Sequence, residues 1–202
     1  MARVRVYTLG VAAGLLLAAW AGSATAQDPP RFTADPAMTR GPAAAPVTIF
    51  EWSDYECPYC RRAQETLQRL QGEFRETVRF VFKDFPLRSH QNALPAALAA
   101  RCAGAQDRYW EYHDLLFVAQ PAFARDDLIG YARRLGLDVP AFTECLDTAR
   151  FRDAVLADQR EGREAGVRAT PSFFINQRVI QGAVPIEEFR AAIRQALREA
   201  GH

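Results

Sequence analysis

Val47-Thr48-Ile49-Phe50-Glu51-Trp52 is an apolar run that leads straight into Cys57-Pro58-Tyr59-Cys60. Beyond the second cysteine, Ala63, Leu67, Leu70 and Phe74 recur every three or four positions. That pattern predicts a strand, a short turn and a helix beginning at or just after Cys57. A cysteine at a helix N-terminus faces unpaired backbone N–H groups and the positive end of the helix dipole. Both favour thiolate over thiol, so Cys57 is expected to have a lowered pKa and to act as a nucleophile. Cys60, one turn further in, is placed to attack a mixed disulfide formed at Cys57. Pro58 suits the first helical turn, where its missing N–H has no partner to lose.

A C-x-x-C pair is also half of a zinc site. That alternative needs a second ligand pair, and Cys102, Cys145, His90 and His113 do not have the spacing for one. A purely structural disulfide across so small a loop constrains the unfolded chain little and tends to strain the bond. Redox chemistry is the reading that remains, with no metal expected.

Working outward, Arg3 and Arg5 precede a charge-free run from Leu9 to Ala21, followed by Ala24-Thr25-Ala26. Residues 1–26 read as a secretory signal peptide cut after Ala26; an uncleaved anchor is the competing reading, for which the run is short. The destination is expected to be the periplasm. The whole chain carries 25 Lys+Arg against 24 Asp+Glu; without residues 1–26 it carries 23 against 24, a net of −1. A near-neutral chain offers no electrostatic case for nucleic acid or anionic membrane as partner. The mature length suffices for one domain with its own core. Residues 27–46, rich in Pro and Ala, read as an extended lead-in with a short strand around Phe32.

After the redox helix, Val78-Arg79-Phe80-Val81-Phe82-Lys83 is a second strand, so strand, helix and strand make a parallel βαβ unit. Residues 91–166 then carry only helical periodicity, over roughly 91–104, 107–118, 125–136, 140–148 and 150–165, with Ser89 or Asn92, Asp107 and Asp126 as candidate caps of the first three. Ser172 to Ile175, a turn at Asn176-Gln177, and Arg178 to Ile180 read as a hairpin, and Pro185 opens a last amphipathic helix. The fold class is α/β: a thioredoxin fold, residues 47–90 and 167–202, whose mixed sheet is flanked by helices, with residues 91–166 as an all-helical insertion.

Phe50 to Cys60 resembles the active-site region of the DsbA-like thiol–disulfide oxidoreductases. Lys83-Asp84-Phe85-Pro86-Leu87, Tyr109 to Leu116, and Gly166 to Asn176 resemble further stretches of that family, over about residues 42–200. The resemblance implies that Cys57 attacks and Cys60 resolves. It implies that Thr170-Pro171 is a cis-proline loop against the active-site sulfurs, presenting the backbone of residue 170 to an extended substrate. Pro58, Tyr59, Thr170 and Pro171 would then contact substrate. Glu51, six residues before Cys57 in a core-like strand, is expected to be a buried proton acceptor for Cys60, with Lys83 as its partner. Asp54 and Glu56 are expected to be exposed, His113 to be packed, and Tyr59 and Phe85 to line a substrate groove.

Cys102 and Cys145 both fall in predicted helices and are expected to pair in an oxidising compartment, a link of that span being worth about 4 kcal/mol less any strain; two buried free thiols are the alternative. The implied partners are reduced or misoxidised exported proteins and a DsbB-like membrane oxidase that reoxidises the enzyme. The redox-active disulfide needs no nucleotide or organic cofactor, and a monomer is expected. Pro-Tyr between the cysteines, where DsbA has Pro-His, and Thr170, where it has valine, leave a reductase or isomerase as the alternative direction. A non-catalytic chaperone or metal-handling module is the alternative of another class.

Overall fold

The computed structural model describes residues 32–176 and 178–202. The expected signal peptide lies outside them. Val47–Ser53 (β2) runs parallel to Val78–Asp84 (β3), joined by the helix Pro58–Glu73 (α1). On its other side β2 pairs antiparallel with Ser172–Ile175 (β4), which pairs antiparallel with Arg178–Gln181 (β5). The two-residue strand Thr39–Arg40 (β1) covers the free edge of β3, so the sheet order is β1-β3-β2-β4-β5. The thioredoxin fold and its mixed sheet are as expected.

The lead-in differs from expectation. The strand lies at Thr39–Arg40, where a turn at Pro36–Met38, capped by Asp35, delivers the chain to the edge of β3. Phe32 is instead an aromatic plug, its ring centroid 4.6 Å from that of Trp52 and 5.0 Å from that of Phe174. Gly41 turns the chain at φ +100, and a Cβ there would stand 2.5 Å from the Val78 carbonyl oxygen.

Period-two alternation sorts the sheet into two faces. Val47, Ile49, Val78, Phe80, Phe173 and Ile175 pack with Leu67 and Leu70 of α1 and with Phe189 and Ile193 of the last helix, Ile186–Glu199. Trp52 and Phe174 face the other way, with Phe85 and Val167.

Between β3 and β4 stand five helices: Ala93–Gly104 (α2), Tyr109–Ala119 (α3), Arg125–Arg134 (α4), Val139–Asp147 (α5) and Arg152–Glu164 (α6). Tyr112, Leu116, Phe123, Leu128 and Phe142 belong to an apolar core that runs on to Tyr55, Cys57, Cys60 and Phe82. A disulfide joins Cys102 of α2 to Cys145 of α5. α6 lies against the Trp52 face, close enough that a Cβ at Gly162 would come within 2.6 Å of the indole.

Of the expected helix caps, Asn92 alone takes its position. Asp107 takes a left-handed turn (φ 59) that ends α2, so α3 starts two residues later. Asp127, one position after the expected Asp126, accepts from the Ala124 N–H at the start of α4. Asn92 occupies the N-cap position of α2 but its side chain does not bond to the helix end; the Glu56 carboxylate accepts both its N–H (2.7 Å) and its side-chain amide (3.3 Å).

Candidate active site

The parallel β2–α1–β3 crossover sets the N-terminus of α1 at the end of the central strands. Cys57 is the N-cap residue, with extended backbone (φ −74, ψ 121), and Pro58 occupies the first turn. Cys57 is 3% exposed and Cys60 fully buried, both as free thiols. Across from them the Thr170–Pro171 bond is cis, and the Cys57 Sγ lies 3.6 Å from the Thr170 carbonyl oxygen.

The two sulfurs are driven apart in acidity. The Cys60 thiol, donating to Cys57, is the largest influence on it; the Thr170 hydroxyl and the backbone N–H groups of Cys60 and Tyr59 add to this, against the opposing effect of burial. Together they hold Cys57 at about 5. Thr170 Oγ1 is buried and has no other hydrogen-bond partner among the described residues, so it is free to turn to the thiolate. Cys60 goes the other way: burial first, then the adjacent Cys57, raise it well above an ordinary thiol.

Glu51 is buried on the α1 side of β2, and its Oε1 accepts from Gln64 Nε2 at 3.0 Å. Burial raises its carboxyl to about 7, with Ser53 and Gln64 opposing. Ser53 is two residues along the same face; its buried hydroxyl has no hydrogen-bond partner among the described residues and eases ionisation of both Glu51 and Cys60, so it is free to turn to either.

Lys83 is not the partner of Glu51. In the β2–β3 register Glu51 stands beside Phe82, and Lys83 beside Trp52. Neighbours in a parallel register share a face, so Lys83 projects from the opposite side of the sheet. Its ammonium is bound there by Asp158, by Glu161 at 2.8 Å and by Thr33 Oγ1 at 2.9 Å.

The acids before Cys57 also depart from expectation. Asp54 is 1% exposed and accepts from the N–H groups of Leu87 and Glu56, both at 2.8 Å. It lies 2.8 Å from His90 Nδ1 as well. Its charge is thereby committed to binding the loop after β3, away from the thiolate. Glu56, half-buried, is committed to Asn92. Phe85, expected to line a groove, packs in the Trp52 cluster and borders a hollow it shares with Pro86, Leu87 and Val167, whereas Tyr59 is 54% exposed under the Arg62 guanidinium. His113 is packed, 3.0 Å from the Tyr55 hydroxyl. Burial and the Arg40 charge keep it neutral.

Gln120, in the loop after α3, was invisible to sequence reasoning. Its Nε2 donates to the carbonyls of Tyr55 (2.5 Å) and Cys57 (3.1 Å), so the insertion grips the turn that carries Cys57. Nothing in its spacing marks it. Among the described residues no group of three or more His, Cys, Asp or Glu could hold a metal.

With this geometry in view, the family follows from a comparison of sequences: a model of the thioredoxin family, described as Thioredoxin, matches residues 33–195. The chain belongs to the thioredoxin family. Among solved structures it is similar to BdbD from Bacillus subtilis (26% identity, 80% of this chain and 92% of that one, TM-score 0.73). It is also similar to a thioredoxin-like oxidoreductase from Silicibacter pomeroyi (27%, 81% and 94%, TM-score 0.74). The thiol–disulfide exchange protein α-DsbA2 from Wolbachia pipientis shares the fold at 20% identity (78% and 85%, TM-score 0.70). The expected place in the thioredoxin superfamily is met. Curated relatives include a Na(+)/H(+) antiporter NhaA of Salinispora arenicola, 40% identical over 78% of this chain. The chain spans only about a quarter (24%) of that protein's length, and no helix among its described residues is long and apolar enough to cross a membrane.

Proposed function

We propose that this chain is an exported dithiol oxidase that introduces disulfides into periplasmic proteins through Cys57 and Cys60. One observation carries the reading: Cys57 is held at about 5 while Cys60 beside it is pushed above an ordinary thiol. Groups that stabilise the Cys57 thiolate stabilise the reduced enzyme, and so make the Cys57–Cys60 disulfide more oxidising.

A substrate thiolate attacks the Cys57 sulfur. The Cys57–Cys60 bond breaks, its electron pair goes to Cys60, and a substrate–Cys57 disulfide forms. Cys60, a poor leaving group at its raised pKa, takes a proton as it leaves. Glu51, half protonated near neutrality, supplies it by way of Ser53, and accepts it back when Cys60 is the attacker. A second substrate thiolate then attacks the substrate sulfur, and Cys57 departs as a stable thiolate. The substrate is oxidised by two electrons, and a DsbB-like membrane oxidase restores the enzyme. Tyr59, Pro58 and the Thr170–Pro171 backbone contact the substrate.

The reduction potential of Cys57–Cys60 against a glutathione buffer tests the direction. A value towards about −120 mV supports the oxidase, and one near about −270 mV makes the chain a reductase.

Glu51→Gln is expected to slow formation of the mixed disulfide on the order of 10²-fold at neutral pH. Corrected for substrate thiolate, the wild-type rate should fall as pH rises through about 7, and the variant should be flat. The folded carboxyl lies above its unfolded value, so its ionisation costs stability as pH rises through 7. Glu51→Gln should therefore stabilise the fold at pH 8. Urea unfolding read beside stopped-flow exchange separates the two effects; an unchanged pH profile rules Glu51 out as the proton carrier.

A further inference from the structure

On the side of the site bounded by the loop after β3, α6 and the residues leading to Thr170, two overlapping hollows of about 500 and 450 Å³ share Pro86, Leu87, Arg88, Gln159 and Arg163. They form one trough. Its floor is apolar, with Leu94 and Leu156 towards one end and Val167 at the other. Arg88, Arg160, Arg163 and Arg168 line it, all exposed, and no Asp or Glu does. Among the described residues none of these four guanidinium groups forms an ion pair, although the protein's charges nearly cancel overall. Arg168 reaches only the backbone carbonyls of Arg163 and Val167.

Two walls of the trough touch the catalytic cysteine's own turn. Leu87 and His90 are bound to Asp54, whose carbonyl accepts the Cys57 N–H. Val167 and Arg168 lead into Thr170, whose carbonyl faces the Cys57 Sγ. A chain joined to Cys57 through its own cysteine and paired along Thr170 therefore has this trough within reach.

We propose that the trough is an exosite for protein substrates, taking an extended segment next to the reacting cysteine that carries acidic side chains around an apolar residue. The proposal rests on the exchange reading of Cys57 and adds which substrates are preferred. The apolar floor takes the central side chain, and the unpaired guanidinium groups take carboxylates, to which arginine is suited by its planar fork of donors. Exposed pairs of this kind are individually weak, so preference comes from several together and fades with salt.

The test compares two short peptides with the same cysteine and apolar residue, one with aspartates beside them and one with lysines. Second-order rates with the oxidised protein are read by stopped flow, and affinities of cysteine-free versions by fluorescence anisotropy. The acidic peptide should react and bind about tenfold better at low salt, equivalent to about 1.4 kcal/mol, and the advantage should shrink at high salt. R88Q/R160Q/R163Q should remove it and R88E/R160E/R163E should invert it; all three positions are exposed, and thermal unfolding reports that both variants fold. Equal rates for the two peptides, or a preference that survives charge reversal, overturns the exosite. Absence of exchange with both peptides and with glutathione overturns the exchange reading itself, and the assignment of the trough to substrates with it.

Discussion

Cys57→Ser is expected to bring thiol–disulfide exchange below detection, a loss on the order of 10³-fold or more, while Cys60→Ala is expected to trap substrates as covalent adducts. The two outcomes differ because the sulfurs do different work. Serine at 57 keeps the helix N-terminus and the Thr170 carbonyl but has no group that ionises near neutrality. Alanine at 60 leaves the Cys57 thiolate intact and removes the only neighbouring thiol that could displace a bound substrate. Non-reducing gels of Cys60→Ala should show substrate adducts that disappear with dithiothreitol and are absent from C57S/C60A. Adducts that persist in the double variant would place the reactive sulfur elsewhere, and equal adduct levels in wild type and Cys60→Ala would remove Cys60 as the resolving group.

The low pKa of Cys57 matters for how it leaves more than for how it attacks. At pH 7 a thiol held at about 5 is nearly all thiolate, whereas a free cysteine is ionised to a few per cent, a gain of roughly 30-fold in thiolate. Intrinsic nucleophilicity falls with pKa by a Brønsted slope of about 0.4–0.5, and over this interval that cancels essentially all of the gain. What survives is the faster departure of Cys57 from the mixed disulfide and the greater stability of the dithiol. Both push electrons from substrate to enzyme, which is the argument for the proposed direction.

The Cys57–Cys60 turn was legible because its signals are local. An apolar strand, a cysteine, a proline at the first helical position and a helical apolar stripe sit in one continuous segment, and each constrains the next. Glu51 was legible for a similar reason, as a carboxylate within an apolar strand. Lys83 was misread because the sequence states that two strands are parallel but not how they are offset, and a register shift of one residue moves a side chain to the other face. Asp54 was misread because its partners, the Leu87 N–H and His90, are more than thirty residues away and come together only through the fold. Gln120 and the two-residue β1 had no local signature at all: one acts through backbone carbonyls, and the other is defined by the edge it covers.

The ionic cluster that holds Lys83 carries the largest expected effect on stability. Arg101 of α2 is buried between Asp84 (Nε to Oδ2, 2.6 Å) and Asp158 (Nη2 to Oδ2, 2.5 Å). Lys83 holds Asp158 from the other side, and the Trp52 indole N–H donates to the Asp158 carbonyl. The cluster thus binds α2 and α6 to the end of β3, next to the loop that serves Asp54. Burial raises Asp84 to about 6 even with Arg101 beside it. Arg101→Met keeps the volume but leaves two buried carboxylates short of a cation, a change expected to cost about 3–5 kcal/mol at pH 8. The sign of its pH dependence follows from the direction of the shifts. Both acids lie above their unfolded values. Each costs stability as it ionises, and removing the cation raises them further. The penalty of Arg101→Met should therefore shrink as pH falls towards 5, where the carboxyls take up protons and no longer need the guanidinium. R101M/D84N, which removes one of the stranded charges, should recover part of the loss at pH 8 and little at pH 5. Urea unfolding of the three proteins at both pH values checks this. A penalty of equal size at pH 5 and pH 8 would mean that Arg101 acts by packing alone, and that the carboxylates beside it are held by something other than its charge.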